Sequence, residues 1–257
     1  MALPRVLLVE DDASIRRLVE LSLDGMPIEL ITCSDAAQAR ANLLAEPVVL
    51  LITDLMMPGE SGADLVQSLA GDPALRGGAR LVVFSAGITP ELQRTLTALG
   101  VWRFLPKPAS MDALEACVVD ALGLDRPGVP ARGAGLDPCG DAAAVDVEEP
   151  DHQVAIARHF AGDAALFHAF RATCLTQFSE DLRDGDRAAH DGDAPALRRL
   201  AHSLKSVLRT LGCDAAADGA SQLEAAAAAG DWTAAAAPWA ALRATLIDLS
   251  RDGVSGA

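Results

Sequence analysis

The sequence is poor in basic residues: 21 lysine and arginine residues stand against 36 aspartate and glutamate residues, and the formal net charge is −15. Binding to nucleic acid or to an anionic membrane surface depends on clustered lysine and arginine, so this composition argues against both partners. The five cysteines have neither a CxxC pair nor metal-ligand spacing: they are Cys33, Cys117, Cys139, Cys174 and Cys213. A scattered, odd set in a chain without a signal peptide predicts reduced thiols in the cytoplasm.

The sequence also lacks a long apolar segment. The apolar run at residues 48–52 is far too short to cross a bilayer, so no membrane partner is expected. The 257 residues are 51% hydrophobic and 22% charged. This composition and length are typical of one large or two small domains, each able to bury a core. We therefore expect a soluble, acidic, cytoplasmic protein.

Short apolar runs alternate with amphipathic stretches over residues 5–123. The runs are RVLLVE, IELITC, VVLLITD, ARLVVFSA and WRFLPK. Near-continuous runs of branched aliphatic residues, separated by helices, indicate parallel strands that are covered on both faces. Five such units predict an α/β fold with a doubly wound, five-stranded parallel sheet and a functional crevice at the carboxyl ends of the strands.

The pattern changes after residues 125–150, which are rich in glycine and proline and predict a flexible linker. No strand pattern returns beyond them. Stretches rich in alanine and leucine, separated by Gly-Asp breaks, predict an all-α, antiparallel helical bundle over residues 151–257, with Asp163, Asp193 and Asp231 as N-caps. The expected domains are therefore 1–124 and 151–257.

Polar residues follow four of the predicted strands at one edge of the sheet. They are Glu10, Asp11, Asp12, Asp54, Ser85 and Lys107. Clustered carboxylates stay ionised when a hard divalent cation lies between them, and Mg²⁺ fits this chemistry. Lys107 and Ser85 would bind the oxygens of a phosphoryl group, and Asp54 would be the nucleophile. Taken singly, the acids could also be partners of a helix dipole, and Lys107 could be a surface residue.

Four motifs of this half resemble the receiver domain of two-component response regulators: LLVEDDASIRRL, DLMMPGESG, VFSA and FLPKP. The resemblance covers about residues 3–123 and implies a flavodoxin-like fold in which Asp54 accepts a phosphoryl group. It also implies a cis peptide bond between Lys107 and Pro108 and a switch role for Phe104. Recognition of the partner kinase would depend on surface residues near Ile15 and Leu18.

The same resemblance assigns the metal ligands. In the family, the second acid of the metal pair lies five residues before the arginine of the first helix, and Asp11 precedes Arg16 by five. The implied Mg²⁺ ligands are the carboxylates of Glu10, Asp11 and Asp54 and the backbone carbonyl of Met56, and Asp12 would turn into the first helix.

The stretch AHSLKSVLRTLG, residues 201–212, predicts a helix with one apolar stripe. The stripe consists of Leu197, Leu200, Leu204, Leu208 and Leu211. At about 100° per residue, His202 lies opposite this stripe, so we expect an exposed imidazole that can attack phosphorus, with Lys205 stabilising the phosphoryl charge. An ordinary surface histidine without a function is the alternative.

The same stretch resembles the active helix of histidine phosphotransfer (HPt) domains. His202, Leu204, Lys205 and Gly212 match the family pattern, and Leu223 and Glu224 agree with the helix that follows. The chain departs from the pattern at Ser206, where the family usually has glycine. The resemblance implies that His202 exchanges phosphoryl groups with the aspartate of a receiver domain.

Together these features predict a phosphorelay protein and not a turnover enzyme. Its expected partners are a sensor histidine kinase or an HPt donor, with a separate response regulator as a possible acceptor; the direction of phosphoryl flow stays open. The alternative is a phosphorylation-switched interaction module whose HPt-like bundle transfers nothing. A DNA-binding regulator is disfavoured because the second half is acidic and lacks a basic recognition helix.

Overall fold

The computed structural model describes residues 2–123 and 152–254, and the linker predicted over 125–150 lies outside the described residues. We name residues 2–123 the sheet domain. Its strands are β1 (Arg5–Val9), β2 (Glu29–Cys33), β3 (Leu50–Thr53), β4 (Arg80–Ser85) and β5 (Val101–Pro106). Its helices are α1 (Ala13–Ser22), α2 (Ala36–Ala45), α3 (Gly62–Gly71), α4 (Pro73–Arg76), α5 (Pro90–Ala98) and α6 (Met111–Leu122).

We name residues 152–254 the helical bundle. Its helices are α7 (His152–His159), α8 (Ala164–Asp191), α9 (Ala194–Thr210), α10 (Asp214–Ala229) and α11 (Trp232–Val254). The buried aromatic core includes Phe160, Phe167, Phe170 and Phe178. In the described ranges, none of the helices combines the length and the apolar character that crossing a membrane requires.

The five strands are parallel and follow the order β2-β1-β3-β4-β5. Successive side chains enter cores on opposite faces: Leu8 and Ile52 belong to one core, and Leu7 and Leu51 to the other. The period of two and the helices on both faces explain why the strands read as continuous apolar runs. The strand order reverses between β1 and β3, which opens a crevice at their carboxyl ends. The predicted fold class is confirmed.

Aspartates begin the helices that the sequence predicts. Asp12 is the N-cap of α1, and its carboxylate accepts hydrogen bonds from first-turn N–H groups at 2.7 and 3.0 Å. Asp163 and Asp193 cap α8 and α9, and Asp231 accepts a hydrogen bond from the first turn of α11 at 2.9 Å. These carboxylates satisfy N–H groups that have no partner inside the helix.

The sheet domain and the helical bundle pack together through α1 and α8. One continuous cluster of buried apolar side chains includes Ile15 and Leu18 of α1 as well as Cys174 and Phe178 of α8. The apolar core therefore runs from one domain into the other, and the carboxyl edge of the sheet faces the bundle.

Candidate functional site

Three carboxylates meet at the carboxyl edge of the sheet. Glu10 and Asp11 follow β1 and Asp54 follows β3, and one oxygen from each lies within 4.8 Å of the others. The guanidinium of Arg16 donates hydrogen bonds to the carbonyls of Glu10 at 2.6 Å and Asp11 at 2.8 Å. α1 therefore holds the loop that carries the first two acids.

Lys107 lies among these acids, as predicted. Its Nζ is 2.5 Å from Oε2 of Glu10 and 2.9 Å from Oδ2 of Asp54, and the residue is buried. The backbone N–H of Lys107 donates to the carbonyl of Ser85, which continues the pairing of β4 and β5. The Lys107–Pro108 peptide bond is cis, as the resemblance implied.

The loop after β3 holds Asp54 from its own backbone. The N–H of Leu55 donates to Oδ1 of Asp54 at 2.5 Å, and the N–H of Met56 also binds this carboxylate. A Cβ on Gly62 would lie 1.7 Å from the carbonyl oxygen of Asp54, so α3 can begin this close to the site because Gly62 has no side chain. The motif DLMMPGESG contains Gly62, but nothing in its spacing revealed this close approach.

Several buried polar atoms of this edge have no hydrogen-bond partner among the described residues. They include Oε1 of Glu10, Oδ1 of Asp11 and Oγ of Ser85. Unpaired buried oxygens are costly, which indicates space for a ligand that meets both carboxylate and hydroxyl oxygens. Carboxylate oxygens are the ligands that Mg²⁺ prefers, so the donor set fits the predicted cation.

The charges of the site are not balanced by protein groups. Burial raises the pKa of Glu10 well above its ordinary value, and burial together with Asp54 raises the pKa of Asp11 to about 6. Burial opposes the charged form of Asp54 as well, but Lys107 and His202 outweigh it and lower its pKa. One lysine cannot neutralise three carboxylates, and a divalent cation would complete the balance.

His202 does not lie in solvent, and that prediction is wrong: the residue is 2% exposed. The apolar stripe is correct, since Leu197, Leu204, Leu208 and Leu211 are buried in the bundle. The opposite face is covered too, by α10 and by the sheet domain. Helical periodicity identifies a face but cannot show what packs on it.

The sheet domain covers the His202 face of α9. Ser203 of α9, next to His202 in the chain, lines a cavity of about 370 Å³ together with Asp11 and Asp12. His202 is also close enough to Asp54 to lower the pKa of that carboxyl. The imidazole of the bundle therefore faces the acidic edge of the sheet.

Glu224 of α10 holds the imidazole. Its Oε1 lies 2.8 Å from Nδ1 of His202, and its Oε2 lies 2.5 Å from Nζ of Lys205. Burial opposes its charged form, but His202 and Lys205 lower its pKa to about 2, so Glu224 is a carboxylate that only accepts hydrogen bonds. Nδ1 of His202 must then carry the proton, and Nε2 is buried without a partner among the described residues.

Glu224 is the main residue that sequence reasoning missed. The sequence singled it out only as agreeing with the helix after the histidine. The available signal was its position as the one charged residue in LEAAAAAG. Ser206, where glycine was expected, is 1% exposed and donates a long hydrogen bond of 3.5 Å to the carbonyl of His202.

Surface residues near Ile15 and Leu18, among them the exposed Arg17, stay the predicted basis of partner selection. Ile15 and Leu18 themselves are buried. Each is 1% exposed. α1 packs against α8, and both side chains belong to the apolar cluster shared by the two domains. In this conformation the predicted recognition face contacts the chain's own bundle.

Two family models match the chain. Residues 6–119 match the response regulator receiver domain, and residues 169–252 match the Hpt domain. The first match spans the sheet with Glu10, Asp11, Asp54, Ser85 and Lys107. The second spans the helices that carry His202, Lys205 and Glu224.

Curated relatives are similar over one half or most of the chain. Response regulator protein PilR of Pseudomonas aeruginosa is 31% identical over 49% of this chain and 28% of its own length. Sensory/regulatory protein RpfC of Xanthomonas campestris pv. campestris is 27% identical over 81% of this chain and 28% of its own length. Sensor histidine kinase AruS of Pseudomonas aeruginosa is 28% identical over 85% of this chain and 20% of its own length. The chain thus spans less than a third of each relative.

Solved structures align with the sheet domain. A response regulator receiver protein from Pseudomonas putida is 30% identical with a TM-score of 0.42, over 48% of this chain and 98% of that one. A signal receiver domain from Vibrio parahaemolyticus is 26% identical with a TM-score of 0.45, over 47% of this chain and 91% of that one.

Proposed function

Because the chain carries a response regulator receiver domain and an Hpt domain, we propose that it is a two-component phosphorelay protein and not a turnover enzyme. Asp54 accepts a phosphoryl group from a phosphohistidine donor, and His202 exchanges phosphoryl groups with a receiver aspartate. The carrying observation is that Lys107 lies 2.9 Å from Asp54, while the second domain holds the buried imidazole of His202 2.8 Å from Glu224. The proposed domains are 1–124 and 151–257, joined by a linker at 125–150.

In the receiver domain, the Asp54 carboxylate attacks phosphorus and forms an acyl phosphate. The Lys107 ammonium and the Ser85 hydroxyl bind oxygens of the incoming phosphoryl group, which explains a buried hydroxyl without a protein partner. Glu10, Asp11 and Asp54, with the carbonyl of Met56, would hold Mg²⁺. The cation supplies positive charge that offsets the phosphoryl oxygens.

In the Hpt domain, His202 is the phosphoryl carrier. Glu224 accepts the Nδ1 proton, so the lone pair of the neutral ring lies on Nε2, the nitrogen available to phosphorus. Lys205 is held by the same carboxylate, and its ammonium adds positive charge one helical turn from the histidine.

The test of the receiver site is labelling with a small-molecule phosphodonor. Acetyl phosphate and Mg²⁺ should produce a base-labile acyl phosphate in the wild-type protein, and Asp54→Ala should abolish it, since the nucleophile is gone. Mass spectrometry of the intact protein measures the added phosphoryl group. A full base-labile signal in Asp54→Ala would refute the assignment.

A second candidate function is a phosphorylation-switched binding module in which His202 transfers nothing. The observation that favours it is the burial of His202 under the receiver domain. His202→Gln separates the two functions: signalling that survives this substitution in the cell would support binding alone, and loss of signalling supports transfer.

The proposed partners follow from the two domains: a sensor histidine kinase or another HPt protein as donor, and a separate receiver as a further acceptor. RpfC and AruS match over more than four-fifths of this chain. The net charge of −15 favours neither nucleic acid nor an anionic membrane surface as a partner. A cytoplasmic location agrees with the four buried free cysteines among the described residues.

A further inference from the structure

The reacting groups of both domains are buried, and Ser203, next to His202, lines a cavity at the domain contact together with Asp11 and Asp12. Asp54 is 1% exposed and His202 is 2% exposed. The Nδ1 side of the imidazole is occupied by Glu224, which directs Nε2 away from α10. Nε2 of His202 and Oγ of Ser85 are both buried without partners among the described residues.

The contact between α1 and α8 fixes this arrangement. Burial raises the pKa of the Cys174 thiol, and Asp12 and Ser14 of the receiver domain act on it too, which places the start of α1 against the middle of α8. Ser14 is 1% exposed and Cys174 is fully buried. The interface thus extends from Asp12, which follows the proposed metal ligands Glu10 and Asp11, to α8, the helix before the one that carries His202.

We propose that the two domains of one chain form an intramolecular exchange pair, in which the α1–α8 interface presents Nε2 of His202 to Asp54 and closes the site to other proteins. This inference rests on the proposed function and adds the partner: the receiver aspartate that exchanges with His202 is Asp54 of the same chain. A donor from another protein reaches Asp54 after the interface opens.

The exchange balances without a further reactant. The lone pair of Nε2 attacks phosphorus, the bond between phosphorus and the Asp54 oxygen breaks, and the Asp54 carboxylate leaves with that electron pair. The Nδ1 proton stays in place, and the positive charge of the phosphorylated ring lies beside the Glu224 carboxylate. The reverse reaction uses the same groups, because the carboxylate attacks phosphorus and Nε2 leaves with its lone pair.

The burial of the receiver site also closes it to other proteins. Lys107, Ser85 and Asp54 are all at most 5% exposed, so a donor histidine on another protein has no access to the acceptor oxygen while the bundle is docked. Opening and closing would therefore separate two steps: loading from outside and exchange inside the chain.

Mixing two variants tests whether exchange stays within one chain. Asp54→Ala retains His202, and His202→Gln retains Asp54, so a mixture can form phosphohistidine only between chains. With acetyl phosphate and Mg²⁺, we expect wild-type protein to form acid-labile, base-stable phosphohistidine at a rate independent of protein concentration. Because a tethered partner has an effective concentration of about 1 mM, the mixture at about 10 µM should react about 100-fold more slowly. A sample of Asp54→Ala alone measures how fast acetyl phosphate labels His202 directly, and this rate is subtracted.

An interface variant tests closure. Ser14→Glu adds a bulky negative side chain next to Asp12 in the α1–α8 contact, while glutamate in a first helical turn suits the receiver helix itself. We expect faster labelling of Asp54 by acetyl phosphate and slower formation of phosphohistidine than in wild type. Thr97→Glu, on the exposed face of α5, is the matched control and should behave as wild type.

The possible outcomes distinguish a failure of the intramolecular pair from a failure of the proposed phosphorelay function. Phosphohistidine that forms in the mixture at the wild-type rate, or in wild-type protein at a rate proportional to protein concentration, overturns the intramolecular pair and leaves the relay standing. Labelled Asp54 with no phosphohistidine in any sample overturns transfer by His202 and the pair with it. Equal labelling of Asp54 in wild type and Ser14→Glu overturns closure.

Discussion

At the scale of single residues, Glu224 accounts for both the position and the chemistry of His202. One carboxylate binds the imidazole and Lys205 at 2.8 and 2.5 Å, and it is charged because its pKa is lowered to about 2. It selects the proton-bearing nitrogen, and it faces the positive charge that develops on the ring during transfer. Glu224 is a positioning residue, since it acts on phosphorus through His202.

Glu224→Gln should slow the transfer from phosphorylated Asp54 to His202. Glutamine still accepts the Nδ1 proton but carries no charge, and hydrogen bonds to charged groups exceed neutral ones by about 1 kcal/mol, so the rate should fall about 5- to 10-fold. Single-turnover labelling measures the rate, and the yield of labelled Asp54 should not change. Glu91→Gln, at an exposed side chain of α5, is the control. If Glu224→Gln transfers the phosphoryl group to His202 at the wild-type rate, Glu224 does not act as a positioning residue.

The residue scale also shows the limits of a sequence pattern. The acids at the sheet edge were predictable, because strand order and spacing bring Glu10, Asp11 and Asp54 to one crevice. Gly62 was not, since its role comes from an approach to the Asp54 carbonyl that depends on how α3 enters the domain. Local motifs indicate which chemical groups are present, whereas a close approach such as that of Gly62 to Asp54 depends on tertiary packing.

At the scale of elements, α8 and α11 approach closely because a glycine faces a tryptophan. A Cβ on Gly185 would lie 2.0 Å from the ring of Trp239. The ring is 7% exposed, and its Nε1 donates to Asp186 at 3.2 Å. The indole therefore fills the space above Gly185 and is held there by α8 itself.

Gly185→Ala should destabilise the protein, although alanine is the better helix former. Overpacking the buried ring costs about 1–3 kcal/mol, which exceeds the gain in helix propensity. Gly219→Ala in α10 is the matched control: its Cβ meets nothing within 4 Å, so the free energy of unfolding should rise by about 0.5–1 kcal/mol. Urea denaturation measures both. A stabilised Gly185→Ala would show that the ring moves freely.

Prediction was most reliable for elements that local chemistry decides. Capping by Asp163 and Asp193 and the five apolar runs followed from rules about single elements. The surface of α9 was less predictable: the leucine stripe was correct, but the face with His202 was expected in water. An amphipathic pattern identifies the most apolar face, whereas a polar face can still be buried when charged partners meet it.

At the scale of the whole molecule, the contact between domains places like charges together. Asp181 of α8 is 8% exposed, and burial, together with Asp12, Asp184 and Glu180, raises its pKa to about 7. A pKa raised in the docked state means that docking takes up a proton. Docking is therefore favoured below about pH 7 and weakens as the pH rises through that value.

Asp181→Asn should remove this dependence on pH, because asparagine stays neutral and keeps the shape of the side chain. With Mg²⁺ present, the radius of gyration from small-angle X-ray scattering should rise between pH 6 and pH 8 in wild type and stay constant in Asp181→Asn. Asp248→Asn, at an exposed side chain of α11, should follow wild type. An unchanged radius in wild type would contradict this assignment.

The amino-acid sequence by itself determined the parallel sheet, the helical bundle and the acids that meet beside Asp54, because the period of apolar residues and the ends of strands are local properties of the chain. The tertiary structure alone decided that His202 is buried, that α1 packs against α8 and that Glu224 selects the reactive nitrogen. Those features arise where helices or domains pack together, and the free energy of such a contact depends on shapes and charges that are far apart in the chain.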